Sequence, residues 1–315
     1  MCVAPKRQES AHCPRKLSSL GIYFSKLVRR TQNQTLMKIA IASGKGGTGK
    51  TTVAINLALA LEGEPVQVID CDVEEPNAHL FLHPTFTEEK SVDILIPEVD
   101  EDKCSFCGTC AEVCEFHAIA VLGKKVLIFP ELCHGCGSCT TNCPEHAIHE
   151  APRPMGTLER GTAGHIQFAQ GRMDVGEAMA VPVIHQLKKW TLPDHTVIID
   201  SPPGASCPVV EALRGADFVL LVTEPTPFGL HDLKGAVEVT REIGIPLGVL
   251  INRSDVGDGS VEKWCQDNGV PILMQIPLDR RIAESYSNGV PMVQAIPEYK
   301  EKFVALYQSI QEAAL

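Results

Sequence analysis

The 315-residue chain has no run of 18 consecutive apolar residues, which excludes a membrane-spanning helix at the level of sequence. Aromatics make up only 5% of it, with two Trp, and positive charge is not in excess. A net charge of −11 argues against a nucleic-acid binder that works through a broad basic face. No signal-peptide pattern is visible. The 13 Cys do not suit a disulfide scaffold, which is a device of short secreted chains. Eight of them fall between Cys104 and Cys143, so the thiols are gathered for a purpose. Metal ligation in a reducing cytoplasm is the expectation. At 44% hydrophobic, the chain can bury one large core or two smaller ones.

Charge is unevenly spread. Residues 1–36 carry Lys6, Arg7, Arg15, Lys16, Lys26, Arg29 and Arg30 against Glu9 alone. They read as a basic tail, disordered or lying upstream of the natural start. The alternative is a basic arm for an acidic surface.

From Met37 the pattern alternates strand and helix. Lys38–Ser43, Val66–Asp70, 196–200, 217–223, 247–252 and 271–276 read as strands, and Thr52–Leu61 as an apolar helix. Continuous β-branched runs separated by helices predict a parallel sheet covered on both faces. Between the first strand and helix, Gly44-Lys-Gly-Gly-Thr-Gly-Lys-Thr51 satisfies G-x-x-x-x-G-K-[ST] in its strand–loop–helix setting. Such glycines let backbone N–H groups turn inward around phosphate oxygens at the positive end of a helix. Lys50 is placed to reach the β- and γ-phosphates, and the Thr51 hydroxyl to ligate Mg²⁺. ATP and Mg²⁺ are therefore expected, with Gly44, Lys45, Gly46, Gly47, Thr48, Gly49, Lys50, Thr51 and Thr52 around the nucleotide.

The extra lysine of this loop, Lys45, is followed by Asp70-Cys-Asp72, Asp200-Ser-Pro-Pro-Gly204, Thr223–Asp232, Asn252-Arg253 and Ile276–Asp279. In that order they resemble the deviant P-loop ATPases of the MinD/ParA family, over residues 37–96 and 180–290. The resemblance implies a mostly parallel, doubly wound α/β P-loop NTPase sheet. It also implies that Lys45 reaches across an ATP-closed dimer to the partner's phosphates and that Asp72 positions the attacking water. Asp200, with Thr51, would hold Mg²⁺, and Asn252, Arg253, Pro277 and Asp279 would contact adenine. Lys45, Lys50 and Asp72 are the candidate catalytic residues. Membrane-acting members of the family end in a basic amphipathic helix. Glu298–Leu315 instead sets Phe303, Leu306, Tyr307 and Ile310 on one face amid mixed charge, which reads as a helix docked on the core.

The clustered cysteines form an internal repeat. Cys104-x2-Cys107-x2-Cys110-x3-Cys114 recurs 29 residues on as Cys133-x2-Cys136-x2-Cys139-x3-Cys143, and each half continues into a similar phrase ending in His-Ala-Ile. Paired C-x-x-C units also bind zinc, but zinc sites rarely need a third Cys two residues on and a fourth three beyond, twice over. The spacing resembles the bacterial two-cluster ferredoxin, in which the fourth Cys of each run ligates the other cluster. That resemblance implies one [4Fe–4S] cluster on Cys104, Cys107, Cys110 and Cys143. It implies a second on Cys133, Cys136, Cys139 and Cys114. Proline follows only the second run, and Glu115 stands in the matching place after the first. His117, His134, His146 and His149 read as exposed polar residues, and Cys71, Cys207 and Cys265 as packed ones.

The expected organisation is a P-loop ATPase over 37–97 and 151–315, interrupted by a small α+β ferredoxin-type domain over 98–150. Residues 151–180 read as short strands or hairpins bracing the insert. The whole is similar to MinD-like ATPases that carry an inserted ferredoxin domain, which implies ATP-driven closure of a homodimer, or of a heterodimer with a paralogue. Three roles compete: ATP-gated electron transfer to a redox partner, maturation of an iron–sulfur or metal client, and spatial organisation in division or partitioning through an adaptor. The first is favoured. The C-x-x-C that cluster-assembly ATPases of this superfamily carry near the C-terminus is absent. A cytoplasmic setting is expected, with no direct nucleic-acid partner and no membrane insertion.

Overall fold

Alternation of side chains builds the centre of the molecule. In the strand Lys38–Ala42, Ile39 and Ile41 pack into one apolar layer, Ala40 and Ala42 into the other. Phe218, Leu220 and Val222 join the first layer, and Val219 and Leu221 the second. A strand buried on both faces needs helices above and below, and these residues have them. The computed structural model describes residues 36–315, which form one compact unit; the basic tail expected over 1–36 lies outside the described residues except for Leu36.

The strands are β1 (Lys38–Ala42), β2 (Val66–Asp70), β3 (Thr85–Val99), β4 (Ile119–Val121), β5 (Val126–Ile128), β6 (Ile148–Ala163), β7 (Ile166–Met173), β8 (Thr196–Asp200), β9 (Phe218–Thr223), β10 (Leu247–Asn252) and β11 (Ile272–Ile276). Nine form one sheet in the order β11-β10-β9-β1-β8-β2-β7-β6-β3. It is parallel from β11 to β7 and antiparallel at the β7–β6–β3 edge. The helices Lys50–Ala60 and Glu298–Ala313 cover one face, and Val181–Lys188, Cys207–Leu213, Pro227–Ile243 and Ser260–Asp267 the other. Tyr299, Phe303, Leu306 and Ile310 are buried along the last helix, so it docks on the core. Among the described residues no helix is long and apolar enough to cross a membrane.

The edge differs from the sequence expectation. Residues 148–173 do form a hairpin, one of the two expectations, but of a 16-residue and an 8-residue strand rather than short ones. β3, a 15-residue strand, has no counterpart in the sequence reading. Its first half, Thr85–Ser91, is exposed and polar, because an edge strand has little to bury and carries charges that discourage further pairing. β3 and β6 pair from Thr85↔Thr162 to Val99↔Ile148, while β6 meets β7 only from Gly156 to Ala163. Beyond the register shift at Val92/Asp93 the two strands continue as a ribbon roughly 20 Å long, at about 3.4 Å per residue. Residues 100–147, which hold all eight clustered cysteines, are mounted on its tip. Glu98 and Val99, the first residues of the expected insert, are still strand.

Candidate functional site

Every sequence-predicted nucleotide residue lies at the carboxyl end of a parallel strand or on the helix that follows it, the edge where open α/β sheets bind ligands. The loop 44–49 follows β1, Asp72 follows β2, Asp200 ends β8, Asn252 ends β10, and Pro277 and Asp279 follow β11. The loop is shaped by close approach and by left-handed backbone. A Cβ on Gly44 would lie 2.2 Å from the Asp232 carbonyl oxygen, and Gly49 turns into the helix at φ 99°. Asn252 Nδ2 donates to the Thr48 carbonyl (2.9 Å), while Asn252 Oδ1 accepts from the Arg253 N–H (3.0 Å). The amide expected at adenine thus holds the phosphate loop in place. Asp279 caps the helix Arg280–Ser287 by accepting from the Arg281 N–H (2.8 Å), and the Arg281 guanidinium beside it keeps its carboxyl low. Thr52 lines a small apolar recess with Ile55, Phe81, Tyr286 and Met292.

Charge is concentrated behind the loop. Burial pushes the Lys50 ammonium below its ordinary pKa, against the pull of Asp200, Asp72 and Asp70. Burial, with Asp70 close by, pushes Asp200 well up; burial also raises Asp72, which Lys50 opposes. Both Asp200 carboxylate oxygens are buried without a hydrogen bond of ordinary geometry, although the Thr51 hydroxyl lies alongside. Orphaned, buried carboxylate oxygens fit a site made for a divalent cation, and Thr51 and Asp200 are the residues that would hold it. Asp70 was read in sequence only as part of the strand-end motif. Its carboxylate accepts from the N–H groups of Asp72 (3.1 Å), Asn77 (3.1 Å) and Ala78 (3.0 Å), pinning the loop that carries Asp72. Even so, burial raises its pKa to about 6.

Glu224 was also passed over, though its position offered a signal: an acid directly after the apolar strand β9. Its side chain is 10% exposed and receives Lys45 Nζ at 3.3 Å on one oxygen and Arg253 at 2.7 Å on the other.

The cysteine segment has an internal two-fold likeness. Phe106 and Gly135 occupy matching places with φ of 57° and 64°, Gly108 and Gly137 with 88° and 71°, and His117 and His146 with 52° and 50°. The histidines are exposed, as expected, yet the left-handed turn they make was not legible. It lets the next N–H, of Ala118 and Ala147, donate to the sulfurs of Cys114 and Cys143 at 3.3 Å each. Hydrogen bonds from Thr109 lower the Cys107 thiol and those from Ser138 lower Cys136, while burial raises Cys110 and Cys139. Two cavities result. One is lined by Cys104, Cys107, Cys110 and Cys143, the other by Cys114, Cys133, Cys136 and Cys139. The sulfurs are arrayed around these spaces, and among the described residues no three His, Cys, Asp or Glu form a single-ion site. The first cavity is closed by Val99, Val121, Val126 and Ile148, the second by Leu95 and Pro97 of the ribbon.

Outside the segment, Cys71 and Cys265 are fully buried, as expected of packed residues. Cys207 begins the helix Cys207–Leu213 but is exposed, because the turn before that helix faces outward.

The family profile of the CobQ/CobB/MinD/ParA nucleotide binding domain matches residues 39–292. An uncharacterised protein of Methanocaldococcus jannaschii is 32% identical over 264 residues, spanning 81% of this chain and 90% of that protein. An iron-sulfur cluster carrier protein of the same organism is 25% identical over 304 residues, spanning 90% of this chain and 87% of that one. Among solved structures, the septum site-determining protein MinD with Mg-ADP from Pyrococcus horikoshii has a TM-score of 0.55 at 22% identity, covering 87% of this chain and 95% of its own, a likeness of fold.

Proposed function

The chain belongs to the CobQ/CobB/MinD/ParA nucleotide-binding family, and we propose on that footing that it is a P-loop ATPase coupled to electron transfer through two [4Fe–4S] clusters. In this reading residues 98–150 are an inserted ferredoxin-type domain within an ATPase formed by 37–97 and 151–315. One cluster belongs to Cys104, Cys107, Cys110 and Cys143, the other to Cys133, Cys136, Cys139 and Cys114. Four cysteines line each space, and no three of their sulfurs converge on a single-ion site, which supports a polynuclear cluster over a lone ion. Such clusters, when bound, supply one-electron redox capacity.

At the nucleotide, the loop N–H groups and Lys50 take the phosphates, while Thr51 and Asp200 hold Mg²⁺. Asp72, on its pinned loop, orients the attacking water, and Asn252, Arg253, Pro277 and Asp279 flank the base. Lys45 reaches a partner's phosphates, so ATP closes a homodimer, or a heterodimer with a paralogue. A redox or adaptor protein is the further partner.

The coupling rests on one observation, the unbroken connection between the two regions. The Asp72 loop is tied to β7 by the Met173 N–H donating to the Val73 carbonyl (2.8 Å). The next residue, Asp174, donates its N–H to the Met155 carbonyl on β6 (3.0 Å), and the Glu177 carboxylate grips Arg153 through both oxygens. Arg153 lies on the ribbon opposite Ile94, and Ile94 and Leu95 pack against Gly135 in the second cysteine run. A shift at Asp72 therefore has a packed route to the second cavity.

The test is anaerobic purification, iron and sulfide analysis, and reduced-state EPR with and without Mg-ATP. About eight irons per chain are expected, with a spectrum that ATP alters. Zinc, or fewer than about four irons, overturns the cluster assignment; a spectrum indifferent to ATP overturns the coupling. The relatives named iron-sulfur cluster carrier proteins favour a second reading, maturation of a client. It predicts iron and sulfide passing from this chain to an apo-ferredoxin acceptor, which the electron-transfer reading does not.

A further inference from the structure

The two cations assigned to nucleotide by sequence, Lys45 and Arg253, meet on one nearly buried carboxylate. Each oxygen of Glu224 takes one of them, at 3.3 Å and 2.7 Å. The backbone around Glu224 has no slack. A Cβ on Gly229 would lie 2.2 Å from the Glu224 carbonyl oxygen, and one on Gly257 would lie 2.3 Å from the Pro225 carbonyl oxygen. The Thr226 N–H donates to the Glu224 carbonyl (2.8 Å), and Thr226 Oγ1 then caps the helix Pro227–Ile243 at the Gly229 N–H (3.0 Å). That helix in turn presses its Asp232 carbonyl on Gly44, beside Lys45. The acid stands on closely packed backbone and is 10% exposed, whereas its cations are on longer arms: 33% of the Lys45 side chain and 52% of that of Arg253 are open to solvent.

From this geometry we propose that Glu224, steadied on its other oxygen by Arg253, is a positioning residue that holds Lys45 within its own subunit until the phosphates of a nucleoside triphosphate compete for the lysine. The proposal rests on the reading of Lys45 as the lysine that crosses a dimer. Triphosphate offers more negative charge than one carboxylate, so the exchange runs forward when nucleotide binds. Withdrawing Lys45 leaves one oxygen of a nearly buried carboxylate without its partner, which is costly. Glu224 thus lowers the population of the chain ready for nucleotide and dimer, and with it the apparent affinity. It sets a threshold that diphosphate, with less charge, clears less readily.

The full-length chain, purified anaerobically, would be titrated with the Mg²⁺ complex of the non-hydrolysable analogue AMP-PNP. Calorimetry reads affinity and sedimentation reads dimer formation, for wild type, E224Q, E224D and K45A. E224Q keeps the shape and removes the charge. It is expected to bind about five- to tenfold more tightly and to dimerise at lower nucleotide concentration. E224D, too short to hold both cations, should show about a two- to threefold gain, and it provides the readout if E224Q melts early. Variants that melt like wild type and bind no more tightly overturn the proposal. K45A separates the two readings. If K45A still dimerises with AMP-PNP, the cross-dimer role of Lys45 has failed. If K45A loses the dimer while E224Q gains nothing, only the holding role of Glu224 has failed.

Discussion

The two ends of the sheet are held by different means. The nucleotide end sits between two apolar layers, in one of which Ile39, Ile41, Leu57, Val68, Phe218 and Phe303 have no measurable exposure. At the ribbon tip, the buried cluster is Cys110, Ile119, Cys139, Cys143, Ala147 and Ile148, half of it cysteine. A segment of some 48 residues with so little apolar interior does not order itself by burial; segments of that size are usually stapled by disulfides or metal. The nucleotide end is therefore a preformed site on a rigid scaffold. On the proposed reading, the cysteine segment would draw its order from the clusters its sulfurs hold, and from the ribbon that presents it.

Iron removal gives this contrast its most severe test. Stripping iron with an anaerobic chelator is expected to cost the segment its order outright, since binding free energy is folding free energy in such sites. By hydrogen exchange, amides in 100–147 should lose protection by several orders of magnitude while β1, β2, β8 and β9 keep theirs. Protection that survives iron loss would mean that the ribbon and the small apolar cluster suffice, and the contrast would fall.

Packing should govern the other end in the same decisive way. Phe303, fully buried on the helix Glu298–Ala313, fills the layer against Ile39 and Leu57. Phe303→Ala is expected to cost about 3–5 kcal/mol. Leu122→Ala, at a site 63% exposed on the cysteine segment, should stay within about 0.5 kcal/mol. The two Trp, Trp190 and Trp264, both lie outside the cysteine segment, so urea unfolding followed by their fluorescence reports the body alone. A small effect of Phe303→Ala with iron content unchanged would show that the body, too, depends on something other than its core.

The legibility of each region in sequence follows the same division. Local chemistry could be read directly. The β-branched runs announced the central strands, and the glycines of 44–49 announced a loop that needs left-handed turns at Gly47 and Gly49. The cysteine spacing, with the crossed assignment that the ferredoxin likeness implies, named the same two sets of four that line the two cavities. What tertiary placement decides could not be read. β3 hid because its exposed half, TFTEEKS, lacks the alternation that marks a half-buried strand. Asp70 is a structural brace only because the chain folds Asn77 and Ala78 back onto it. Glu224 and the Arg153–Glu177 pair join residues 29 or more positions and 24 positions apart, distances over which no sequence period operates.

The smallest expected effect sharpens the contrast from within the well-packed end, where the site itself departs from good packing. Asp70 is buried beside Asp72, Asp200 and Lys50, with a pKa raised from 3.8 to about 6. The folded chain thus takes up this proton at higher pH than the unfolded chain does. Its contribution to stability is complete below about pH 4 and is lost as pH rises through about 6. Asp70→Asn removes the titration but forfeits an acceptor, since the amide offers only one oxygen to three N–H groups. The wild-type advantage in urea, read by Trp fluorescence, is expected to shrink between pH 5 and pH 7 by on the order of 1–3 kcal/mol. An advantage that stays level across this range would mean that Lys50 and the three N–H donors fully offset burial. The acidic pocket would then be as settled as the core behind it, and the Asp72 loop would have no stored cost for Mg²⁺ and nucleotide to relieve.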